Sequence, residues 1–244
     1  MSSFRHYLDR YAEPIVHEFE AQVRRMFSRT YQSVLVIPLY DEPATCIDRI
    51  LPSDIHDTLV IGVVNAAEDR DQATIQRTQA CLSRLGKSNS PLTVVPRTTD
   101  TTLLAVDCCT PGRQMPPKQG VGLARKIGAD LALACIEHHI VEKPWIYCTD
   151  ADAALPIGYF DEIALDNTVA IAIYPFTHHP PHENILRYEI SLRYYATRLA
   201  FAGSPYAFHT IGSLLKINAQ YYAKVRGFPK RKAAEDFYML NKLA

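Results

Sequence analysis

The chain is 244 residues long, and its 26 Lys and Arg are balanced by 26 Asp and Glu. That length allows one large domain or two small ones, and the neutral balance lacks the positive field that holds nucleic acid or an anionic membrane non-specifically. With 48% hydrophobic and 21% charged residues, global disorder is excluded.

In chain order, residues 3–28 carry apolar side chains at three- and four-residue steps, which predicts helix, with Pro14 a candidate break. This N-terminal helical extension, residues 1–30, reads as a packing element. The period then changes. Ser33–Pro38 and Thr58–Val64 are short apolar runs, predicted as strands, with a helix over about 70–86 after the second. Leu92–Val95 and Thr102–Val106 are further strands. Residues 107–119 hold three prolines and a glycine and read as a loop. Gly122–His138 is a predicted helix, and Trp145–Thr149 and Thr168–Tyr174 are predicted strands. Residues 183–202 are a predicted helix with Ile185, Leu186, Tyr188, Ile190, Leu192, Tyr195 and Leu199 available to pack. Ile211–Ile217 is a last strand, and a helix starts at Asp236. Apolar strands separated by helices imply an α/β fold, a single mostly parallel central sheet flanked by helices, in one domain over 1–244.

The N-terminus is charged from the start, and no stretch approaches the roughly 18 apolar residues of a membrane span. Six cysteines form no C-x-x-C pair. The expectation is a cytoplasmic protein with reduced thiols, no transmembrane segment and no nucleic-acid partner.

No P-loop, G-x-S-x-G or H-E-x-x-H motif is present. Gly120-Val-Gly122-Leu-Ala-Arg125 has arginine where a dinucleotide fingerprint needs its third glycine, and follows a loop, not a strand. Ligands of open α/β sheets bind beyond the carboxyl ends of strands. Those ends carry Tyr40, Asp41 and Glu42, then Asn65, Glu68 and Asp69, then Asp150 and Asp152. Asp150 and Asp152 are two residues apart at a strand end, which puts both carboxylates on one side. That arrangement suits a divalent cation completed by phosphate oxygens; the alternative is a polar turn capping a helix. Asp69-Arg-Asp71 reads as an acidic helix N-terminus. His138 and His139 read as a solvated helix end. In His178-His179-Pro-Pro-His182 a structural or substrate-contacting role is favoured over a metal cage. His209 is a candidate to approach a metal or an acceptor.

Four segments, in order over about 33–240, resemble the GT-A glycosyltransferases, particularly family 2. They are Ser33-Val-Leu-Val-Ile-Pro-Leu-Tyr-Asp-Glu42, Gly122-Leu-Ala-Arg125-Lys-Ile-Gly-Ala-Asp130, Trp145-Ile-Tyr-Cys-Thr-Asp-Ala-Asp152, and Tyr222–Phe228 followed by Ala234-Glu-Asp236-Phe. The resemblance implies a GT-A fold, with residues 31–244 carrying the nucleotide-sugar-binding and acceptor regions. It implies a UDP- or GDP-sugar donor, an acceptor hydroxyl, and Mn2+ or Mg2+ as cofactor. Pro38 and Tyr40 would flank the base, with Glu42 beside it and Asn65 on the base or ribose. Arg125 would contact donor phosphate or the side chain of Asp150. Asp150 would approach ribose and metal, Asp152 would ligate the metal, and Asp236 would be the catalytic base with Glu235 beside it. The chain departs from the family pattern at Asp41, usually asparagine, and at Asn65, usually aspartate. The loop 107–119 is longer than the family pattern leads one to expect, and no Q-x-x-R-W follows Asp236. Two other readings stay open. A sugar-phosphate nucleotidyltransferase would need a glycine-rich basic loop, where Pro38–Pro43 has neither glycine nor a basic residue. The other is a non-catalytic nucleotide-sugar-binding module.

Overall fold

The computed structural model describes residues 3–43, 45–86, 88–161 and 165–244. The chain opens with three short helices, α1 (Ser3–Arg10), α2 (Ile15–Glu20) and α3 (Val23–Met26). The predicted break falls at Pro14, which precedes α2 with φ −53°, where its missing N–H costs no helical bond. A second break after Glu20 has no proline to announce it. Tyr7, Leu8, Val16, Phe19 and Val23 are buried, so the extension packs on the body.

The sheet follows. Its strands are β1 (Ser33–Leu39), β2 (Thr58–Asn65), β3 (Leu92–Pro96), β4 (Thr101–Cys108), β5 (Trp145–Cys148), β6 (Ile171–Ile173) and β7 (Leu215–Asn218). The helices between and after them are α4 (Cys46–Ile50), α5 (Gln72–Gly86), α6 (Gly120–Glu137), α7 (Glu183–Phe201), α8 (Ala219–Lys224) and α9 (Glu235–Leu243). The strand order is β3-β4-β2-β1-β5-β7-β6.

The sheet is mixed, which corrects the mostly parallel expectation. The pairs β4–β2, β2–β1 and β1–β5 are parallel, while β3–β4, β5–β7 and β7–β6 are antiparallel. Residues 97–100 between β3 and β4 are too few for a crossover, so that pair must be a hairpin. Two strands are shorter than predicted: β6 keeps only Ile171–Ile173, and a 3-10 turn at Gly212–Leu214 takes the first half of the expected last strand. β4 runs on to Cys108, so the predicted loop starts later. All six cysteines are buried thiols. Among the described residues no helix is long and apolar enough to cross a membrane.

Helix α6 is buried from Gly122 to Ile136. It lies against the sheet so closely that a Cβ on Gly128 would come 2.3 Å from Val36 Cγ1. Its other side receives the N-terminal helices through one buried carboxylate. Asp130 accepts from Tyr7 Oη (2.6 Å), Tyr222 Oη (2.7 Å), Lys126 Nζ (2.9 Å) and the Glu13 amide (2.9 Å). His138 Nε2 meets Glu20 Oε1 at 2.9 Å; the expected solvated end is instead a tie between α6 and α2. Helix α7 is the opposite case. Of the apolar residues available to pack, Ile185, Leu192 and Leu199 are half-buried and none is fully buried.

Candidate functional site

A cavity of about 560 Å³ opens at the carboxyl ends of β1, β2 and β5, within the usual range for small-ligand sites. Pro38, Tyr40, Glu42, Asn65, Arg125, Asp150, Asp152, Glu235 and Asp236 all line it. These residues span almost 200 positions of sequence, and the parallel strands bring them to one edge. His209 alone among the expected site residues is not in this lining; its ring packs edge-on against Phe176, 5.2 Å away.

At the end of β1 the backbone turns through Asp41 at φ 57°, a left-handed conformation that aspartate and asparagine adopt more readily than most residues. The turn sends Asp41 away from the cavity, where Arg77 donates to both its oxygens at 2.6 and 2.7 Å. That bond holds the Asp41 carboxyl below its usual range. The departure at 41 is therefore part of the scaffold. Tyr40 and Glu42, on either side, line the cavity. The ring of Tyr40 carries the Arg70 guanidinium 5.4 Å from its centroid.

Asn65 ends β2 and is buried. Its Nδ2 donates to the Leu39 and Val63 carbonyls, each at 3.1 Å. Both amide hydrogens are engaged, so the atom left for a ligand is Oδ1, an acceptor. Two carbonyl partners fix this orientation. An asparagine so held offers a ligand the acceptor character an aspartate would, without its charge.

Arg125 is the keystone of the far wall. Nε donates to Glu235 Oε1 (3.0 Å), Nη1 to the Gly212 carbonyl (3.1 Å) and Nη2 to Asp150 Oδ1 (2.6 Å). Burial alone would lower its pKa, but the negative charge of Asp150 and Glu235 keeps it raised, so the guanidinium stays charged. Gly212 makes the room: a Cβ there would lie 2.6 Å from Nη2. The contact with Asp150 is one of the two that the resemblance implies for Arg125.

The glycines of Gly120-Val-Gly122 serve this wall too. The Gly122 amide donates to the Arg231 carbonyl at 3.0 Å, and a Cβ on Gly122 would meet that oxygen at 2.5 Å. They let the 229–234 strap lie on the start of α6. The strap ends at Ala234, left-handed at φ 62°, and from there Glu235 turns inward to Arg125. Asp236, one residue on, is only half-buried and accepts from the Phe237 amide at 2.7 Å.

Asp152 is exposed in the cavity. Burial raises the pKa of Glu42, and the negative charge of Asp152 raises it further, so the two carboxylates feel each other. Among the described residues no three His, Cys, Asp or Glu side chains converge into a ready-made metal cage. A hard cation held against phosphate needs fewer, one or two carboxylates with the remaining ligands from phosphate and water. Asp150 and Asp152 meet that requirement.

Two charged residues of the cavity escaped the sequence reading. Arg70 follows β2 by five residues, and its Nε is buried with no partner among the described residues. Lys232 sits on the strap. The Asp69-Arg-Asp71 run held the hint: Asp71 caps α5, accepting from the Thr74 amide at 2.9 Å, and this leaves the intervening arginine to turn toward the cavity. Of the histidine loop, His178 Nδ1 lies 3.0 Å from Glu189 Oε2 on α7, a structural tie.

No protein-family model matches the sequence, and no curated protein matches it significantly.

Proposed function

We propose that this chain is a metal-dependent glycosyltransferase of the GT-A type. It moves a sugar from a nucleoside-diphosphate sugar to an acceptor hydroxyl, with Mn2+ or Mg2+ as cofactor. The observation that carries this reading is the one cavity at the carboxyl ends of the parallel strands. It gathers the strand-end pair Asp150 and Asp152, Glu42, and the distant Asp236. In this reading the Tyr40 ring, backed by Arg70, offers a face to the base, and Asn65 Oδ1 accepts an N–H from its edge. Asp150, held by Arg125, and Asp152 would hold the cation. When bound, the cation supplies positive charge against that developing on the departing nucleoside diphosphate. Glu235 is locked to Arg125 and positions it. Asp236, free of that pair, removes the proton from the acceptor hydroxyl.

Asp236→Asn tests the assignment, because it keeps shape and removes basicity. Sugar transfer from a panel of UDP- and GDP-sugars is expected to fall about 10²–10⁴-fold. Affinity for UDP or GDP with Mn2+, measured by calorimetry, is expected to change less than about tenfold, roughly 1.4 kcal/mol. Near wild-type transfer by Asp236→Asn would remove it as the base. Equal nucleotide affinity with and without EDTA would remove the metal from the mechanism.

A further inference from the structure

Helix α7 presents a surface that nothing among the described residues covers. Its half-buried side is Ile185, Glu189, Leu192, Ala196 and Leu199, anchored by Glu189 to His178 and by Arg193 Nη2 to the Phe176 carbonyl at 2.7 Å. At 100° per residue, Leu186, Ile190, Tyr194 and Phe201 fall on the opposite side. They form one stripe, with Ile190 66%, Tyr194 62% and Phe201 89% exposed. Tyr188 and Tyr195 are also exposed, but they lie across the helix from the stripe, nearer its half-buried side, where Tyr188 meets the His178 ring at 5.8 Å. Large contiguous apolar patches of this kind mark interaction sites.

We propose that this stripe is the seat of a second copy of the same chain, with the two α7 helices packed antiparallel about a two-fold axis near residue 192. Three observations favour that occupant. The first is composition. The helix has three tyrosines, a phenylalanine and three arginines, and no lysine, which is the bias of protein–protein interfaces. A lipid-surface helix instead carries a strongly basic polar face, whereas here Glu183 and Glu189 offset two of the three arginines.

The second is charge placement. Glu183 opens the helix and Arg198 lies in its last turn. With the axis at residue 192, Arg198 of one protomer lies three residues, about 4.5 Å along the axis, from the position facing Glu183 of its partner. Arg187 of the same helix already donates to Glu183 Oε1 at 2.5 Å; the other oxygen is left for Arg198 of the partner, so the pair would form twice, as a two-fold interface requires, with the helix dipoles antiparallel. In the same register Ile190 of each protomer faces Tyr194 of the other.

The third is area. At about 150–250 Å² per aromatic side chain, Tyr194 and Phe201 with Leu186 and Ile190 present on the order of 500 Å² per protomer. Two protomers together bring roughly 1,000 Å², the area a specific interface must clear.

The test is sedimentation equilibrium of the full chain across the micromolar range. The wild type is expected at twice the 27.5 kDa of one chain. Ile190→Asp with Tyr194→Asp is expected to run as a folded monomer with the circular dichroism spectrum of the wild type, since neither side chain is buried in the single chain. Arg198→Glu is expected to weaken the dimer at least tenfold, and Arg198→Glu with Glu183→Arg to restore it, because the swap rebuilds the intermolecular pair. A monomeric wild type would overturn the proposal, as would a dimer that survives the double aspartate variant or a charge swap without rescue. Flotation of monomeric wild type with anionic phosphatidylglycerol vesicles, abolished by the same aspartates, would assign the stripe to a lipid surface instead.

Discussion

Arg125 and Lys126 are neighbours on α6, and each begins a buried charge network of a different kind. Lys126 faces the N-terminal helices. There Asp130 takes two donors on each oxygen, Tyr7 and Tyr222 on one, Lys126 and the Glu13 amide on the other. That fills the acceptor sites of a carboxylate, and Asp130 is fully buried. Arg125 faces the cavity. Its carboxylate partner Asp150 has a side chain 35% exposed, and Glu42, Asp152 and Asp236 share the same space. The first network is closed and joins three parts of the fold. The second is acidic and open on one side, where the proposed cation and phosphate would complete it.

The contrast is broken most severely on the closed side. Asp130→Ala leaves the buried Lys126 ammonium without its counter-charge, with only Tyr7 Oη at 2.7 Å to accept from it, and takes the shared acceptor from two buried phenols. Removing one partner of a buried ion pair costs about 3–5 kcal/mol, and this site should reach the upper end. With about 2–4 °C of Tm per kcal/mol for a chain of this size, Tm is expected to fall by about 10–20 °C in a calorimetric scan. A second consequence follows from the position of Tyr7 and Glu13: exchange protection of α1 and α2 amides should be lost before that of the sheet.

Arg125→Ala opens the other network and should cost less, toward the lower end of the same roughly 3–5 kcal/mol, because Asp150 can turn to water and only Glu235 is left buried. Tm should fall by about 6–12 °C. Nucleotide affinity in the presence of Mn2+ should fall with it, since Asp150 loses the group that orients it. A variant that binds nucleotide normally would reduce Arg125 to a scaffold residue.

The strand cores were legible because β1, β2, β4 and β5 are buried throughout and so read as continuous apolar runs. Strand order at the β5–β7–β6 margin was not legible, since β7 pairs with a strand about 70 residues earlier and local pattern says nothing about such a partner. In the cavity, Asp150 and Asp152 could be singled out by their place at a strand end. The contact of Arg125 with Glu235 spans 110 residues, and no spacing rule reaches that far. Helices α6 and α7 make the same point through packing. Both carry many apolar residues, yet one is covered on nearly every side and the other is half-covered on a single side. Periodicity reports which residues share a face, but only the tertiary arrangement decides whether anything lies against it.

The smallest effect expected is at Glu42, and it measures how open the second network is. Burial and the charge of Asp152 raise the Glu42 pKa in the folded protein. Below the unfolded value, about 4.3, both states are protonated and the shift has no influence. As pH rises through the folded pKa, the folded protein must hold an ionised Glu42 beside Asp152, and the stability present at low pH is lost. Glu42→Gln removes that repulsion. It is expected to raise Tm by a few degrees at pH 7 and to leave it unchanged near pH 4. Saturating Mn2+ should reverse the ranking at pH 7, because a cation between the carboxylates favours the ionised glutamate of the wild type and gives the glutamine less to bind. A glutamine variant less stable than wild type at pH 7 without metal would mean that Glu42 is held by a partner of its own, and that the cavity side is closed like the Asp130 side.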